Sequence, residues 1–316
     1  MLNGKTAIKV FIDGSAGTTG LRIYERLAGL DGVELLTLPE EMRKDASARA
    51  GAIAEADVAM LCLPDDAARE AAAMADASGT AVIDASTAHR VAPGWAYGFP
   101  ELSAAHRDAI KASGHVAVPG CHASGFIALV FPLVEAGLLP KDAELSVFSL
   151  TGYSGGGKKM IAEYEDPARP DTFEAPRQYG LTQQHKHLKE MKAITDLAVS
   201  PIFCPIVAGF YSGMMVTVPL FREQLRSGAS MEDVRKVYRE LYCGKIVRYG
   251  ESVSENGLMS ANALKNRDSM QITVEGNEER MLLIARYDNL GKGASGAAVE
   301  CMNIVMGKDP ATGLDL

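Results

Sequence analysis

One cysteine in this chain stands where a catalytic nucleophile is expected. Cys121 follows a Pro-Gly dipeptide, and the apolar pattern after it predicts a helix from Ser124 to about Gly137. Backbone N–H groups at a helix start lack partners and carry partial positive charge, so they stabilise a thiolate and a developing oxyanion. The polar neighbours His122 and Ser124 support this interpretation over that of an ordinary buried cysteine. We therefore predict that Cys121 attacks an acyl or aldehyde carbon.

Two histidines are candidate acid–base groups for this cysteine. His185 and His187 are separated by one residue, so they share one side of an extended chain but diverge on a helix. Histidine exchanges protons near neutral pH, as thiol activation requires. Either one could serve Cys121, and a surface role is the alternative for each. No metal site is predicted, because no third ligand is apparent nearby.

A glycine-rich turn near the N-terminus predicts a dinucleotide-binding loop. A buried strand is expected over 7–12 and an amphipathic helix over 21–30. A strand, a glycine turn and a helix are the context in which a pyrophosphate binds at a helix start. The spacing is GxxGxxG rather than GxGxxG, so a turn without a ligand is the alternative. The predicted loop comprises Gly14, Ser15, Ala16, Gly17, Thr18, Thr19 and Gly20.

The chain after the second predicted strand bears on the choice of nucleotide. Glu40 and Glu41 are followed by Arg43 and Lys44. A carboxylate here would hold the ribose 2′-OH of NAD, whereas a cation would hold the 2′-phosphate of NADP. The sequence favours NADP, with Arg43 as the first candidate. NAD and an exposed loop without a ligand stay open.

The order of strands and helices indicates an α/β fold. Up to Cys121, apolar strands alternate with helices, which predicts a Rossmann-like, doubly wound parallel sheet. Beyond it, two strands joined by Gly276-Asn277 and a further apolar strand at 213–220 predict a mixed sheet of α+β character. A broad sheet face of this kind is a common oligomer surface.

A second glycine-rich stretch, 152–159, nearly matches the phosphate-binding P-loop. Lys159 stands where that motif needs the hydroxyl that binds magnesium, so an ATPase is not predicted. The glycine amides and Lys158 could still hold a phosphate. A flexible loop is the alternative.

Composition excludes several classes of function. The chain has 316 residues, a formal net charge of −8 and no basic block, so nucleic-acid binding is not expected. Five cysteines without a close pair indicate a reducing cytosol rather than a disulfide framework. No apolar run approaches the ~20 residues of a membrane span, and the N-terminus lacks an apolar signal core.

Seven motifs together resemble one enzyme family from end to end. They lie at 14–20, 84–90, 97–101, 119–124, 152–158, 185–190 and 288–296. The chain resembles N-acetyl-gamma-glutamyl-phosphate reductase of the shorter, second type, which is related to the aspartate-semialdehyde dehydrogenases. The resemblance implies reduction of N-acetyl-glutamyl 5-phosphate by NADPH, with Cys121 carrying the acyl group, as a step of arginine synthesis.

The resemblance also implies domains, partners and further site residues. It implies a dinucleotide-binding domain from residues 1–119 with 291–316, a catalytic and oligomerisation domain from 120–290, and a homodimer or homotetramer. Residues 200–211 depart from the longer type of the family, so substrate contacts there stay open. Expected cofactor contacts are Ser86 and Asn289, and expected substrate contacts are Arg90, Ser154, Lys158 and Glu190.

Three other functions stay open from the residues alone. Aspartate-semialdehyde dehydrogenase shares the same chemistry. A nucleotide-sensing protein would carry an inert cysteine. A cysteine hydrolase would use Cys121 and His187 without a cofactor.

Overall fold

Six apolar strands in the first part of the chain pair in parallel. They are β1 (Ile8–Asp13), β2 (Val33–Leu36), β3 (Val58–Leu61), β4 (Ala81–Asp84), β5 (Ala96–Tyr97) and β6 (His115–Ala117). The spatial order β2-β1-β3-β4-β6-β5 reverses direction at β1. Sheets of this kind bind ligands at that switch point, beside the carboxyl ends of the strands.

A computed structural model describes residues 7–316, in which the chain divides into two units. The first unit holds residues up to 119 with 294–314, and the second holds 120–293 with 315–316. The prediction that the N-terminus lacks a signal core concerns residues 1–6 in part, and these lie outside the described residues. No helix in the described part has the length and apolar character needed to cross a membrane.

Helices connect the strands in both units. Within residues 7–316 they are α1 (Thr18–Leu27), α2 (Ala46–Glu55), α3 (Asp65–Ser78), α4 (Ala104–Ala112), α5 (Cys121–Glu135), α6 (Gly157–Glu165), α7 (His187–Thr195), α8 (Met231–Leu241) and α9 (Gly296–Val305).

Both faces of the parallel sheet are buried. Val10 packs with Ile23 of α1 and Met302 of α9 on one face. Phe11, its neighbour in the strand, packs with Ile53 of α2 on the other. Successive side chains of a strand point to opposite faces, so a strand covered on both sides is apolar throughout. The predicted doubly wound sheet is confirmed.

The second unit contains a seven-stranded mixed sheet, which confirms the α+β prediction. Its strands are β7 (Ser146–Gly152), β8 (Arg177–Gln178), β9 (Ile202–Ala208), β10 (Met214–Phe221), β11 (Val247–Tyr249), β12 (Met270–Gly276) and β13 (Arg280–Tyr287). The order is β11-β12-β13-β10-β7-β9-β8, with β7/β9 and β11/β12 parallel and the other pairs antiparallel. Helix α5 packs on β10 and β13, and α8 packs on β12.

Two helices begin earlier than the apolar pattern predicted. Helix α1 begins at Thr18 rather than at residue 21, and α5 begins at Cys121 rather than at Ser124. The first turn of each helix consists largely of small or polar residues, which add nothing to an apolar periodicity. Cys121 is therefore itself the first residue of its helix.

Candidate active site

The loop between β1 and α1 turns more tightly than residues with side chains allow. Gly14 has φ +86°, and a Cβ built on it would lie 2.3 Å from the carbonyl oxygen of Cys62. A Cβ on Gly20 would lie 2.4 Å from the carbonyl oxygen of Gly14. Glycine is required at both positions, and Gly17 precedes the first turn of α1 with its unpaired N–H groups. This arrangement fits a dinucleotide pyrophosphate.

A cavity of about 880 Å³ opens beside the glycine loop in the first unit. It extends from Ser15 and Ala16 past Tyr24 to the end of β2. Its volume lies within the range that holds small ligands and cofactors. The chain after β2 contributes Thr37, Leu38, Pro39, Glu40, Arg43 and Lys44 to the lining.

The loop after β4 is held by a fully buried carboxylate. Asp84 accepts hydrogen bonds from the backbone N–H of Ser86 at 2.8 Å and from its hydroxyl at 2.7 Å. The Nδ1 atom of His89 lies 2.6 Å from the same carboxylate, and the His89 ring stacks on Trp95 at 3.9 Å. The Ser86 hydroxyl, a predicted cofactor contact, is thus fixed by Asp84.

Arg90 donates hydrogen bonds to two backbone carbonyls of the first unit. Its Nε atom donates to the carbonyl of Val118 at 2.9 Å, and its Nη2 atom donates to the carbonyl of Ala85 at 3.3 Å. These bonds give the guanidinium a structural task. The substrate contact expected from the resemblance stays a prediction.

In the second unit, a buried carboxylate fixes the turn before Cys121. The backbone N–H of Gly120 donates to Oε1 of Glu190 at 2.8 Å, and Glu190 lies on α7 with 2 % of its surface exposed. The hydroxyl of Ser124 donates back to the Gly120 carbonyl at 3.1 Å. Glu190 therefore orients the helix start, and its predicted contact with substrate stays a prediction.

A tyrosine hydroxyl bonds to the backbone of the first turn of α5. Tyr287 of β13 accepts from the N–H of Gly125 at 3.0 Å and donates to the carbonyl of Cys121 at 2.5 Å. Cys121 and Gly125 are also the residues whose backbone groups pair in the first turn of the helix, so the hydroxyl reinforces that turn. Burial, and secondly the negative charge of Cys121, raises the pKa of Tyr287, so the phenol stays protonated.

The two predicted histidines converge with a third. His187 begins α7, His185 lies just before it, and their rings are 4.7 Å apart. The ring of His122, the residue after Cys121, lies 6.0 Å from that of His185 and 5.6 Å from that of His187. His185 and His187 thus lie in one cluster. The sequence offered an extended chain or a helix for this pair, and neither applies, because α7 begins between the two residues.

His122 links two hydroxyl groups that the sequence did not identify. Its Nδ1 atom lies 2.6 Å from Oγ of Ser149, and its Nε2 atom lies 2.6 Å from the hydroxyl of Tyr179. Burial, and secondly His185, lowers the pKa of His122 to about 3. Burial, and secondly the negative charge of Cys121, raises the pKa of Tyr179. The Tyr179 hydroxyl thus contacts the residue that follows Cys121 in the first turn of α5.

Asn289 and Ser154 contact each other in the second unit. The amide of Asn289 donates from Nδ2 to Oγ of Ser154 at 3.0 Å and accepts from the N–H of Gly213 at 2.9 Å. Both side chains are buried. Lys158 is exposed on the first turn of α6. The cofactor contact of Asn289 and the substrate contacts of Ser154 and Lys158 stay predictions.

The chemistry of a second cysteine differs from that expected of Cys121. Cys62 follows β3, where burial, and secondly Asp84, raises the pKa of its thiol to about 12. Such a thiol stays protonated and packs as an apolar group. Among residues 7–316, no group of three or more His, Cys, Asp or Glu side chains is arranged to hold a metal ion.

Two family models match the chain. Residues 37–112 match the semialdehyde dehydrogenase NAD binding domain, and residues 121–289 match the semialdehyde dehydrogenase dimerisation domain. Among solved structures, aspartate semialdehyde dehydrogenase II from Vibrio cholerae superposes with a TM-score of 0.73 at 16% identity, covering 95% of this chain and 98% of that chain. Aspartate semialdehyde dehydrogenase with NADP from Candida albicans superposes with a TM-score of 0.67 at 16% identity, covering 95% of this chain and 98% of that chain. At this identity the likeness shows the fold alone.

Curated relatives are far more similar in sequence. N-acetyl-gamma-glutamyl-phosphate reductase from Rhizobium meliloti is 46% identical over 305 residues, which cover 94% of this chain and 98% of that protein. The protein of the same name from Brucella ovis is 45% identical over 307 residues, covering 95% and 99%. The chain therefore belongs to the N-acetyl-gamma-glutamyl-phosphate reductase family of oxidoreductases, within the semialdehyde dehydrogenases, and its N-terminal domain binds a nicotinamide cofactor.

Proposed function

We propose that this protein reduces N-acetyl-L-glutamyl 5-phosphate to N-acetyl-L-glutamate 5-semialdehyde and phosphate with NADPH, through a thioester on Cys121, as a step of arginine biosynthesis. One observation carries the mechanism: Cys121 is the first residue of α5, and Gly120 and the first helix turn are held by Glu190 and Tyr287. The names of the curated relatives support the choice of substrate.

Cys121 performs the covalent step. Its thiolate, stabilised by the start of α5, forms a C–S bond to the acyl carbon while the bond from that carbon to the phosphate oxygen breaks. When bound, the nicotinamide supplies a hydride to the thioester carbon. The resulting oxyanion then re-forms the carbonyl, the C–S bond breaks and its electron pair returns to sulfur.

We propose His185 as the acid that protonates the departing phosphate. His185 is half-buried, whereas His187 is only 5 % exposed. A proton donor must be within reach of the substrate, so the more accessible imidazole is the better candidate. Its ring lies 6.1 Å from that of Tyr179, which in turn is affected by the charge of Cys121.

The residues after β2 support NADP as the nucleotide. Thr37, at the end of that strand, has no carboxylate to hold a ribose 2′-OH, and Arg43 and Lys44 line the cavity with positive charge. Asp13 and Glu40 line it as well, but Asp13 is already paired with Arg49 at 2.9 Å, so the preference rests on two cations against Glu40. Phosphate favours the cations.

We propose that the two domains predicted from the sequence have separate tasks. Residues 1–119 with 291–316 would bind the dinucleotide, and residues 120–290 would carry out the chemistry. Lys158, exposed beside the positive-φ residue Gly157, is suited to the substrate's phosphate or carboxylate. All five cysteines are free, which fits a reducing compartment, so we place the protein in the cytoplasm.

We also propose a homodimer or homotetramer built on the mixed sheet. Alternate residues of its strands lie on the sheet face that the helices do not cover. On this face, Phe148, Ile202 and Leu282 are 47%, 62% and 42% exposed. Large exposed apolar side chains on one sheet face mark an interaction surface. The match of residues 121–289 to a dimerisation domain supports a second copy of this chain as the partner.

The turnover assay separates this function from its alternatives. Purified protein should reduce N-acetyl-glutamyl phosphate with NADPH and, in reverse, should oxidise N-acetyl-glutamate semialdehyde only when phosphate is present. Cys121→Ser should abolish both reactions. Faster turnover of aspartyl phosphate would instead identify an aspartate-semialdehyde dehydrogenase, and full activity of Cys121→Ser would refute the thioester.

A further inference from the structure

A chain of polar groups runs from the core of the second unit to the neighbourhood of Cys121. Ser149 on β7, His122 on α5 and Tyr179 after β8 are joined by two contacts of 2.6 Å each. Ser149 is fully buried and His122 is 4 % exposed, whereas Tyr179 is half-buried. The chain therefore has a closed end at Ser149 and a more open end at Tyr179.

The closed end determines how the protons are arranged. Within residues 7–316, the hydroxyl of Ser149 has no hydrogen-bond partner other than Nδ1 of His122. A buried hydroxyl proton without an acceptor is costly, so Ser149 donates to Nδ1. The imidazole is neutral, since burial lowers its pKa to about 3, and a neutral imidazole carries one proton. That proton must then be on Nε2.

The same argument gives the orientation of the Tyr179 hydroxyl proton at the open end of the chain. With the proton on Nε2, His122 donates to the oxygen of Tyr179, so the hydroxyl proton of Tyr179 cannot point at the imidazole. In the described part of the chain, the Tyr179 hydroxyl has no other hydrogen-bond partner. Its proton is thus available to a ligand.

We propose that Ser149 and His122 are positioning residues that hold the hydroxyl proton of Tyr179 toward the reacting atoms at Cys121. This inference rests on the proposed function, in which negative charge develops on the acyl oxygen of the group bound to Cys121. Tyr179 donates a hydrogen bond to that oxygen. The effect of the Cys121 charge on the Tyr179 pKa agrees with this placement.

The arrangement orients a proton rather than transferring one. A relay needs an exit to solvent or to a second titrating group, and the far end of this chain is the fully buried Ser149. The groups that face His122 are the rings of His185, His187, Tyr179 and Phe203. None of them carries a negative charge that would favour a charged imidazole, since the Tyr179 phenol stays protonated.

Imidazole nitrogen resonances test the proton positions without any turnover. In protein labelled with ¹⁵N-histidine, the His122 signals are those lost in His122→Gln. We expect His122 to be neutral and protonated on Nε2 at pH 7, and Ser149→Ala to remove that preference. Protonation on Nδ1 in the unmodified protein would overturn the inference.

A double-mutant cycle tests the consequence for turnover. Tyr179→Phe should lower kcat about a hundredfold, the loss seen when one oxyanion donor is removed, and leave the KM for NADPH unchanged. Ser149→Ala should lower kcat about tenfold in the unmodified protein but less than about twofold in Tyr179→Phe, since acting through Tyr179 makes the effects non-additive. Ser149→Thr keeps the hydroxyl and should restore activity.

Ser146→Ala, on the same strand, is the matched control and should leave kcat unchanged. Equal losses from Ser149→Ala in both backgrounds would show a merely structural role and overturn the inference. If the unmodified protein does not reduce the acyl phosphate at all, the proposed function fails, and the nitrogen resonances still decide the proton positions.

Discussion

At the scale of single residues, the fold changes the protonation of His122. Its pKa falls from 6.5 to about 3 because burial disfavours the cation and His185 lies close. Between those pH values the unfolded chain binds a proton that the folded chain does not. Stability should therefore be fully present above pH 6.5 and should decline as the pH falls through this window.

The prediction compares the unmodified protein with His122→Gln. The free energy of unfolding by urea should fall more steeply with decreasing pH in the unmodified protein, with an extra slope approaching about 1.4 kcal/mol per pH unit below pH 6. The comparison removes the contribution of the carboxylates, which both proteins share. Parallel curves from pH 7 to pH 4.5 would contradict the buried neutral imidazole.

The preference for NADPH over NADH should also depend on individual residues. Replacing Arg43 and Lys44 together by Ala removes the positive charge from the cavity beside Glu40. The KM for NADPH should rise at least about tenfold, the equivalent of one charged hydrogen bond, while the KM for NADH stays the same. Lys111→Ala on α4, also exposed, is the control. Equal changes for both nucleotides would argue against a 2′-phosphate contact.

Residue types near one another in the chain were predictable, and their distant partners were not. The Pro-Gly-Cys sequence indicated Cys121, and the close pair His185 and His187 indicated an acid–base group. Ser149 and Tyr179 lie 27 and 57 positions from His122 in the chain. Only the pairing of strands and the packing of α5 bring them together, and no local pattern encodes this.

At the scale of elements, two buried tyrosines bond to the backbone of α5 at different places. Tyr287 bonds to the backbone of Cys121 and Gly125 in the first turn, whereas Tyr242 donates to the carbonyl of Ala128 at 2.7 Å, farther along the helix. A Cβ on Gly125 would lie 2.7 Å from the Tyr287 hydroxyl, so glycine allows this close approach. A substitution of Tyr242 is therefore a matched control for the same substitution of Tyr287.

Tyr287→Phe and Tyr242→Phe should each cost about 1 kcal/mol of unfolding free energy, because each removes a buried hydrogen bond to the backbone of α5. Only Tyr287→Phe should also slow alkylation of Cys121 by iodoacetamide, since only this hydroxyl shapes the helix turn that holds the sulfur. Equal alkylation rates in both variants would show that the Tyr287 hydroxyl does not affect Cys121.

The limits of sequence reasoning at this scale have physical causes. The antiparallel pair β12 and β13 was predicted from its turn, whereas β9 was not recognised. Pro205 interrupts its pattern, yet the strand is tolerated because it pairs along its length with β7 and only briefly with β8. Helix α2 is rich in Ala and has no strong apolar face to detect.

At the scale of the whole molecule, the proposed oligomer makes a separate prediction. Phe148→Glu with Ile202→Glu places two charges on the open face of the mixed sheet. A charge buried without a partner is unfavourable, so these substitutions should convert the oligomer to monomer in light scattering. Leu258→Glu, at a 73 % exposed position outside the sheet, should leave the mass unchanged. A monomer before any substitution would contradict the proposed interface.

The measurement that tests the central claim most directly is mass spectrometry of the acylated protein. Incubated with N-acetyl-glutamyl phosphate in the absence of any nicotinamide nucleotide, the protein should gain one N-acetyl-glutamyl group on the peptide that contains Cys121. Addition of NADPH should remove that group and yield the semialdehyde. Absence of the adduct, or an adduct that persists in Cys121→Ser, would contradict a thioester on Cys121.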